Sequence, residues 1–183
     1  DENNGHPVDR RKVNASKVKE LYKNHEVCVH TIVHPNLTEL DEDAIIYQVE
    51  QDRKNLSDIV DYNVQGMAYP CGGVNNDERV AKIIKEHTGI KFARTITSSF
   101  NFDIQENLYQ FNPSVYWIQK EELFRLAKEF VDLKTDKPQI FYIWGHSYEA
   151  DYGLITWEEF EELLKIISNK EDIYYCTNSE ALL

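Results

Sequence analysis

From Asn14 onward the chain alternates between two hydrophobic patterns. Val18, Leu21 and Tyr22 share one face of a short helix starting at Asn14, after which Glu26-Val-Cys-Val-His-Thr-Ile-Val33 is dense in β-branched residues. That density predicts a buried strand, ended by Pro35. Asp41, Glu42 and Asp43 then place acidic side chains where a helix N-terminus favours them, and Ile45, Val49, Leu56 and Ile59 recur at near-helical spacing toward Asp61.

The alternation repeats further along. Val64 to Tyr69 reads as a strand stopped by Pro70-Cys71-Gly72-Gly73, and Val80, Ile83, Ile84 and His87 form a helical face closed by Gly89. A strand over Phe92 to Thr97, an irregular stretch to Pro113, a helix over Lys120 to Val131 and a strand over Gln139 to Trp144 follow. Thr156 with Glu159 is a capping-box pair opening a helix whose inner face carries Phe160, Leu163, Leu164 and Ile167, and Ile173 to Cys176 reads as a last strand. Residues 1 to 12 show no periodicity and end in Arg10, Arg11 and Lys12, as expected of a loop or entry segment rather than a strand.

Repeated strand-loop-helix units predict a parallel α/β sheet or barrel. In such folds chemistry gathers on the loops at the C-terminal ends of the strands. The polar residues expected there are His30 and His34, the turn from Tyr69 to Gly73, and the segment from Gly145 to Asp151.

Composition narrows the partners. A chain of 183 residues, 42% hydrophobic and 12% aromatic, has enough apolar material for one core, so a single domain over 1–183 is expected. Twenty Lys and Arg against 32 Asp and Glu give a net charge of −12, which opposes binding to nucleic acid or to an anionic membrane surface. No run approaches the roughly 20 apolar residues of a membrane span, and the polar start shows no signal-peptide hydrophobic region. The expectation is therefore a soluble chain without membrane insertion, its compartment and oligomeric state left open. Cys28, Cys71 and Cys176 show neither a metal-type spacing nor an even count, and read as reduced, structural thiols.

His30 and His34, four residues apart, fall on one face of either a helix or a strand and could reach a single metal ion. Imidazole suits zinc and similar divalent ions, although catalytic sites use about three protein ligands, and the spacing alone is equally that of two structural histidines. Pro70-Cys71-Gly72-Gly73 could turn sharply and present backbone N–H groups to a developing oxyanion, or be an ordinary Gly-rich turn. His146 stands after an apolar strand with Glu149 and Asp151 nearby, as a general acid or base or as a hydrogen-bonded surface histidine.

Taken together and in order, His30-Thr-Ile-Val-His34-Pro35, Tyr69-Pro70-Cys71-Gly72 and Trp144-Gly-His-Ser-Tyr-Glu149 resemble the later motifs of the polysaccharide deacetylase family, the NodB homology domain of carbohydrate esterase family 4. The resemblance runs from about Glu26 to Asn178. It implies a distorted, incomplete (β/α) barrel and a metal-dependent hydrolase that removes N-acetyl groups from amino-sugar polymers or oligosaccharides. It further implies that His30 and His34 ligate a divalent metal, with zinc the expected ion, and that the backbone N–H of Cys71 helps hold the oxyanion. His146 would protonate the departing amine, tuned by Glu149 or Asp151, while Tyr69, Pro70, Trp144, Tyr148 and Glu149 line the glycan.

Three departures accompany the resemblance. The family's opening strand ends in an Asp-Asp-Gly motif that supplies a metal ligand and a base, whereas residues 1 to 29 hold only Asp1 and Asp9, neither after an apolar strand. Ala68 stands where many members have arginine, with Arg94 a candidate substitute, and no clean D-x-x-D-W segment precedes Trp117. The expectation is a chain truncated at its N-terminus, with its activity in this form left open. Two alternatives stay open: a non-catalytic carbohydrate-binding relic of the same fold, and an α/β domain with another amidohydrolase or interaction role.

Overall fold

The computed structural model describes residues 12–183 and, ahead of them, the backbone of two short strands, β1 (Glu2–Asn3) and β2 (His6–Pro7), which pair antiparallel. The expectation of a loop over residues 1 to 12 otherwise lies outside the described residues, as do Asp1 and Asp9. The chain divides into two compact units.

One unit comprises Val13–Ile96, Gln105–Asn112 and Cys176–Leu183. Its helices start where the side chains dictate. Asn14 caps α1 (Ala15–Leu21), Asp41 accepts from the Ala44 N–H at 2.9 Å to open α2 (Glu42–Val60), and Asp77 accepts from the Val80 N–H at 2.7 Å to open α3 (Glu78–His87). The helix α2 ends at Asp61 in the left-handed region, φ 61°. Beneath these helices β3 (Gly66–Ala68) runs parallel to β4 (Phe92–Arg94), flanked by single parallel bridges from Val29 to Met67 and from Arg94 to Phe111. Val29, Ile45, Val49, Met67, Ile84 and Ile90 are buried between strands and helices and form the core.

The other unit contains Thr97–Ile104 and Pro113–Tyr175. Within it β5 (Val115–Tyr116) lies parallel to β6 (Ile143–Trp144), and α4 (Lys120–Asp132) packs against α6 (Trp157–Ile167), with the one-turn helix α5 (Tyr148–Asp151) between β6 and α6. Leu123, Leu126, Ala127, Ile155 and Leu163 are its buried centre. The capping box at Thr156 forms in full, the Glu159 carboxylate accepting from the Thr156 N–H at 2.8 Å while the Thr156 hydroxyl accepts from the Glu159 N–H at 3.1 Å.

The mixed helix and strand class and the parallel pairing follow the sequence pattern, but the strands are shorter than the apolar runs. The expected strand over Glu26 to Val33 shrinks to one bridging residue, Val29, whose N–H donates to Gly66 O at 2.8 Å and whose carbonyl accepts from the Ala68 N–H at 2.9 Å. Thr31 (φ 71°) and His34 (φ 59°) then turn left-handed, which no ladder continues through. Ile173 to Cys176 likewise runs without a ladder, and the strand expected from Gln139 reduces to Ile143–Trp144. The closing helix α7 (Asn178–Leu182) belongs to the first unit, where Glu26 accepts from the Ser179 N–H at 3.1 Å.

Candidate functional site

In the first unit the two histidines of the H-x-x-x-H motif stand together, ring centroids 4.8 Å apart and edge to face. The His30 ring Nδ1 lies 2.8 Å from the Ala68 carbonyl. A carbonyl only accepts, so this contact assigns the proton to Nδ1 and leaves Nε2 with the lone pair. That is the tautomer a metal-ligating histidine adopts when its other nitrogen is held by the protein.

The backbone around the pair is fixed by side chains from elsewhere. Asp52, on α2, accepts the His30 N–H at 3.0 Å, while the Thr31 hydroxyl accepts the His34 N–H at 3.1 Å. Burial pushes the Asp52 carboxyl up from its ordinary value, against the opposing pull of the His30 N–H and ring. His34 itself is exposed, and the Cys71 thiol donates to its carbonyl at 3.4 Å with the sulfur 3.7 Å from its ring Nδ1.

Cys71 occupies the left-handed region (φ 67°), as does Gly73 (φ 66°), so the Pro-Cys-Gly-Gly segment is a sharp turn. Asn75, wholly buried, ties it down by donating to the Pro70 and Cys71 carbonyls at 2.9 and 2.8 Å. Tyr69, expected to stack on a sugar, is only 1% exposed, and its hydroxyl donates to the Tyr109 carbonyl at 2.8 Å. Burial raises its phenol well above the ordinary value. Pro70 is also buried. Cys28 is half-buried with its sulfur beside Gly66, its thiol pushed up to about 12 chiefly by burial. A thiol so disfavoured as thiolate is a packing group rather than a nucleophile or ligand.

The two imidazoles are the metal-type donors that stand together in this unit, with ring centroids 4.8 Å apart. Among the described residues no cluster of three or more His, Cys, Asp or Glu side chains accompanies them, so the fit extends to two donors.

In the second unit the chemistry centres on His146, in the loop after β6. Its Nδ1 lies 2.7 Å from Glu149 Oε1, and its backbone N–H donates to Glu149 Oε2 at 2.9 Å. The Tyr116 hydroxyl and the Trp117 indole N–H also donate to the same carboxylate. Glu149, 3% exposed, therefore has both oxygens engaged inside the unit, where the sequence assigned it both to substrate contact and to the tuning of His146. Burial alone would raise this carboxyl, but the donors from Tyr116, His146 and Trp117 outweigh it and hold the group below the ordinary range.

The His146 ring, with Nδ1 bound to a carboxylate, is only partly buried, an arrangement suited to passing a proton. Tyr148 stacks on it at 4.9 Å, and Tyr116 stacks on Trp144 at 4.0 Å with the planes 14° apart. Gly145 allows the backbone to pass this close, because a Cβ there would enter the Trp117 indole. Asp52, Asn75, Tyr116 and Trp117 escape a reading by motif. Only Trp117 carried a local signal, as the tryptophan after the irregular stretch.

Residues 4–91 match the family model for polysaccharide deacetylases, which covers both histidines and the Pro-Cys-Gly-Gly turn. This portion of the chain thus carries the family's sequence signature, and the resemblance is borne out over the part that holds its first two motifs. Two solved structures share the fold: a pseudoenzyme of carbohydrate esterase family 4 from Bacillus anthracis and a mutant of the same protein. Each is 17% identical with a TM-score of 0.52 and is matched over 92% of this chain. The chain spans about half their length, 50% of the wild-type structure and 52% of the mutant. No curated protein sequence matches. Among the described residues no helix is long and apolar enough to cross a membrane.

Proposed function

We propose that the chain acts as a metal-dependent hydrolase that removes N-acetyl groups from an amino-sugar polymer or oligosaccharide. The observation that supports this reading is the His30 and His34 pair, ring centroids 4.8 Å apart, with the His30 Nδ1 held by the Ala68 carbonyl. His30 and His34 would hold the ion, with zinc the favoured identity. A divalent ion there polarises the acetamide carbonyl and makes water easier to deprotonate.

The protein's own groups do the rest. The Cys71 N–H, in its left-handed turn, donates to the carbonyl oxygen as negative charge develops on it. In the other unit, His146 with its Nδ1 held by Glu149 is the group suited to act as a general acid toward a leaving amine. Water contributes its oxygen to acetate and gives up its two protons to bulk solvent, which restores the proton of the acid group, and the amine leaves neutral after taking the proton from that group. Trp144 and Tyr148 offer apolar faces for sugar rings.

The expected result is acetate release from N-acetylated chito-oligosaccharides in the presence of zinc, lowered about 10²- to 10⁴-fold by His146→Ala, as for loss of a general acid. A second reading is a non-catalytic glycan-binding relic, in line with the description of both structural neighbours as pseudoenzymes. Under that reading the oligosaccharide binds equally with and without zinc, and no acetate appears.

A further inference from the structure

The geometry points to Asp52 as the positioning residue of the two-histidine site, a carboxylate that acts on the metal ligands through the backbone instead of by ligation. This rests on the reading of His30 and His34 as ligands.

Asp52 lies 22 positions from His30 in sequence, on the helix α2, and its Oδ2 accepts the His30 N–H at 3.0 Å. The next residue, Thr31, lies in the left-handed region at φ 71°. A β-branched residue in that region is strained and persists only where its surroundings hold it. The carboxylate supplies that hold from the adjacent residue, by taking the His30 N–H. Thr31 then passes the constraint on, because its hydroxyl accepts the His34 N–H at 3.1 Å. One side chain thereby fixes the backbone of the first histidine directly and of the second through one intermediary.

The same anchoring sets the first imidazole. With its backbone pinned by Asp52, His30 presents Nδ1 to the Ala68 carbonyl at 2.8 Å. Release of the backbone would let the ring leave that carbonyl and lose its preference for one tautomer. A half-buried negative charge beside the pair also favours a cation. Neither contribution requires Asp52 to reach the ion, in agreement with the absence of a three-donor cluster among the described residues.

The test uses the whole chain, stripped with a chelator, as wild type, Asp52→Asn and Asp52→Ala. Zinc affinity is measured by calorimetry, and the imidazole nitrogens are observed by NMR without metal. Outer residues that orient ligands typically alter metal affinity by 10- to 100-fold, so Asp52→Ala is expected to weaken zinc binding by about that factor. Asp52→Asn, which keeps the volume and one acceptor, is expected to fall between it and wild type. In metal-free protein the single His30 tautomer of the wild type should give way to exchange between both in Asp52→Ala. A thermal midpoint and circular dichroism separate this from general unfolding. If Asp52→Ala destabilises the fold, Asp52→Asn carries the comparison. Folded variants that bind zinc as tightly as wild type and keep the His30 tautomer overturn the inference. If the wild type binds no zinc, the metal reading fails, while the tautomer spectra still decide the role of Asp52.

Discussion

Glu149→Ala is expected to destabilise the chain by about 3–5 kcal/mol, the range for removing one partner of a buried charged network. The carboxylate is 3% exposed and accepts from four donors: the Tyr116 hydroxyl, the Trp117 indole N–H, and the backbone N–H and ring of His146. Each donor left buried without a partner costs about 1–3 kcal/mol, although water entering the vacated space relieves part of the sum. Glu149→Gln, which retains one acceptor oxygen, should lose less. The carboxyl is also held below its ordinary value of 4.5, so its contribution is complete above that pH. The contribution is lost as pH falls through the lower folded-state value. Thermal midpoints of wild type and Glu149→Gln should therefore differ most near neutrality and converge on acidification below 4.5. A gap that stays constant across that window would mean that the ionised carboxylate does not supply the stability.

Gly66→Ala is expected to cost about 1–3 kcal/mol through overpacking. The added Cβ would enter the Phe92 ring and lie 2.6 Å from the Cys28 sulfur, and Phe92 is itself only 1% exposed, so the ring cannot swing into solvent. Gly66 also accepts the Val29 N–H at 2.8 Å, the ladder bond immediately before His30, so the shift would spread toward the histidines. Phe92→Ala makes room at the same place while costing about 3–5 kcal/mol alone. Denaturant unfolding of the double variant should show a loss clearly smaller than the sum of the two, because residues in contact couple. Strict additivity would show that the alanine at 66 is accommodated away from Phe92.

The helices were legible because their signals are local. Asp41, Asp77 and Thr156 each begin a helix by accepting an N–H three residues ahead, and each lies just before the first residue of a periodic apolar face. The Pro-Cys-Gly-Gly turn and the histidine after β6 were legible on the same ground. Glu26 to Val33 misled because β-branched density reports burial and stiffness, not ladder partners. Thr31 and His34 turn left-handed beside the contacts of His30 with Asp52 and of His34 with Cys71, at separations of 22 and 37 residues that no short window covers. Glu149 and His146, three residues apart, were read together from the sequence. The donors that bury the carboxylate, Tyr116 and Trp117, come from 33 and 32 positions away and became visible only once β5 and β6 were paired.

The account turns on His30 and His34 as ligands of one ion. Zinc titration of the metal-free chain by calorimetry, beside His34→Ala, tests this most directly. The account expects binding near one equivalent in the wild type and none in a folded His34→Ala chain. A well-folded wild type that takes up no zinc, or a His34→Ala chain that binds it with unchanged affinity, would contradict it.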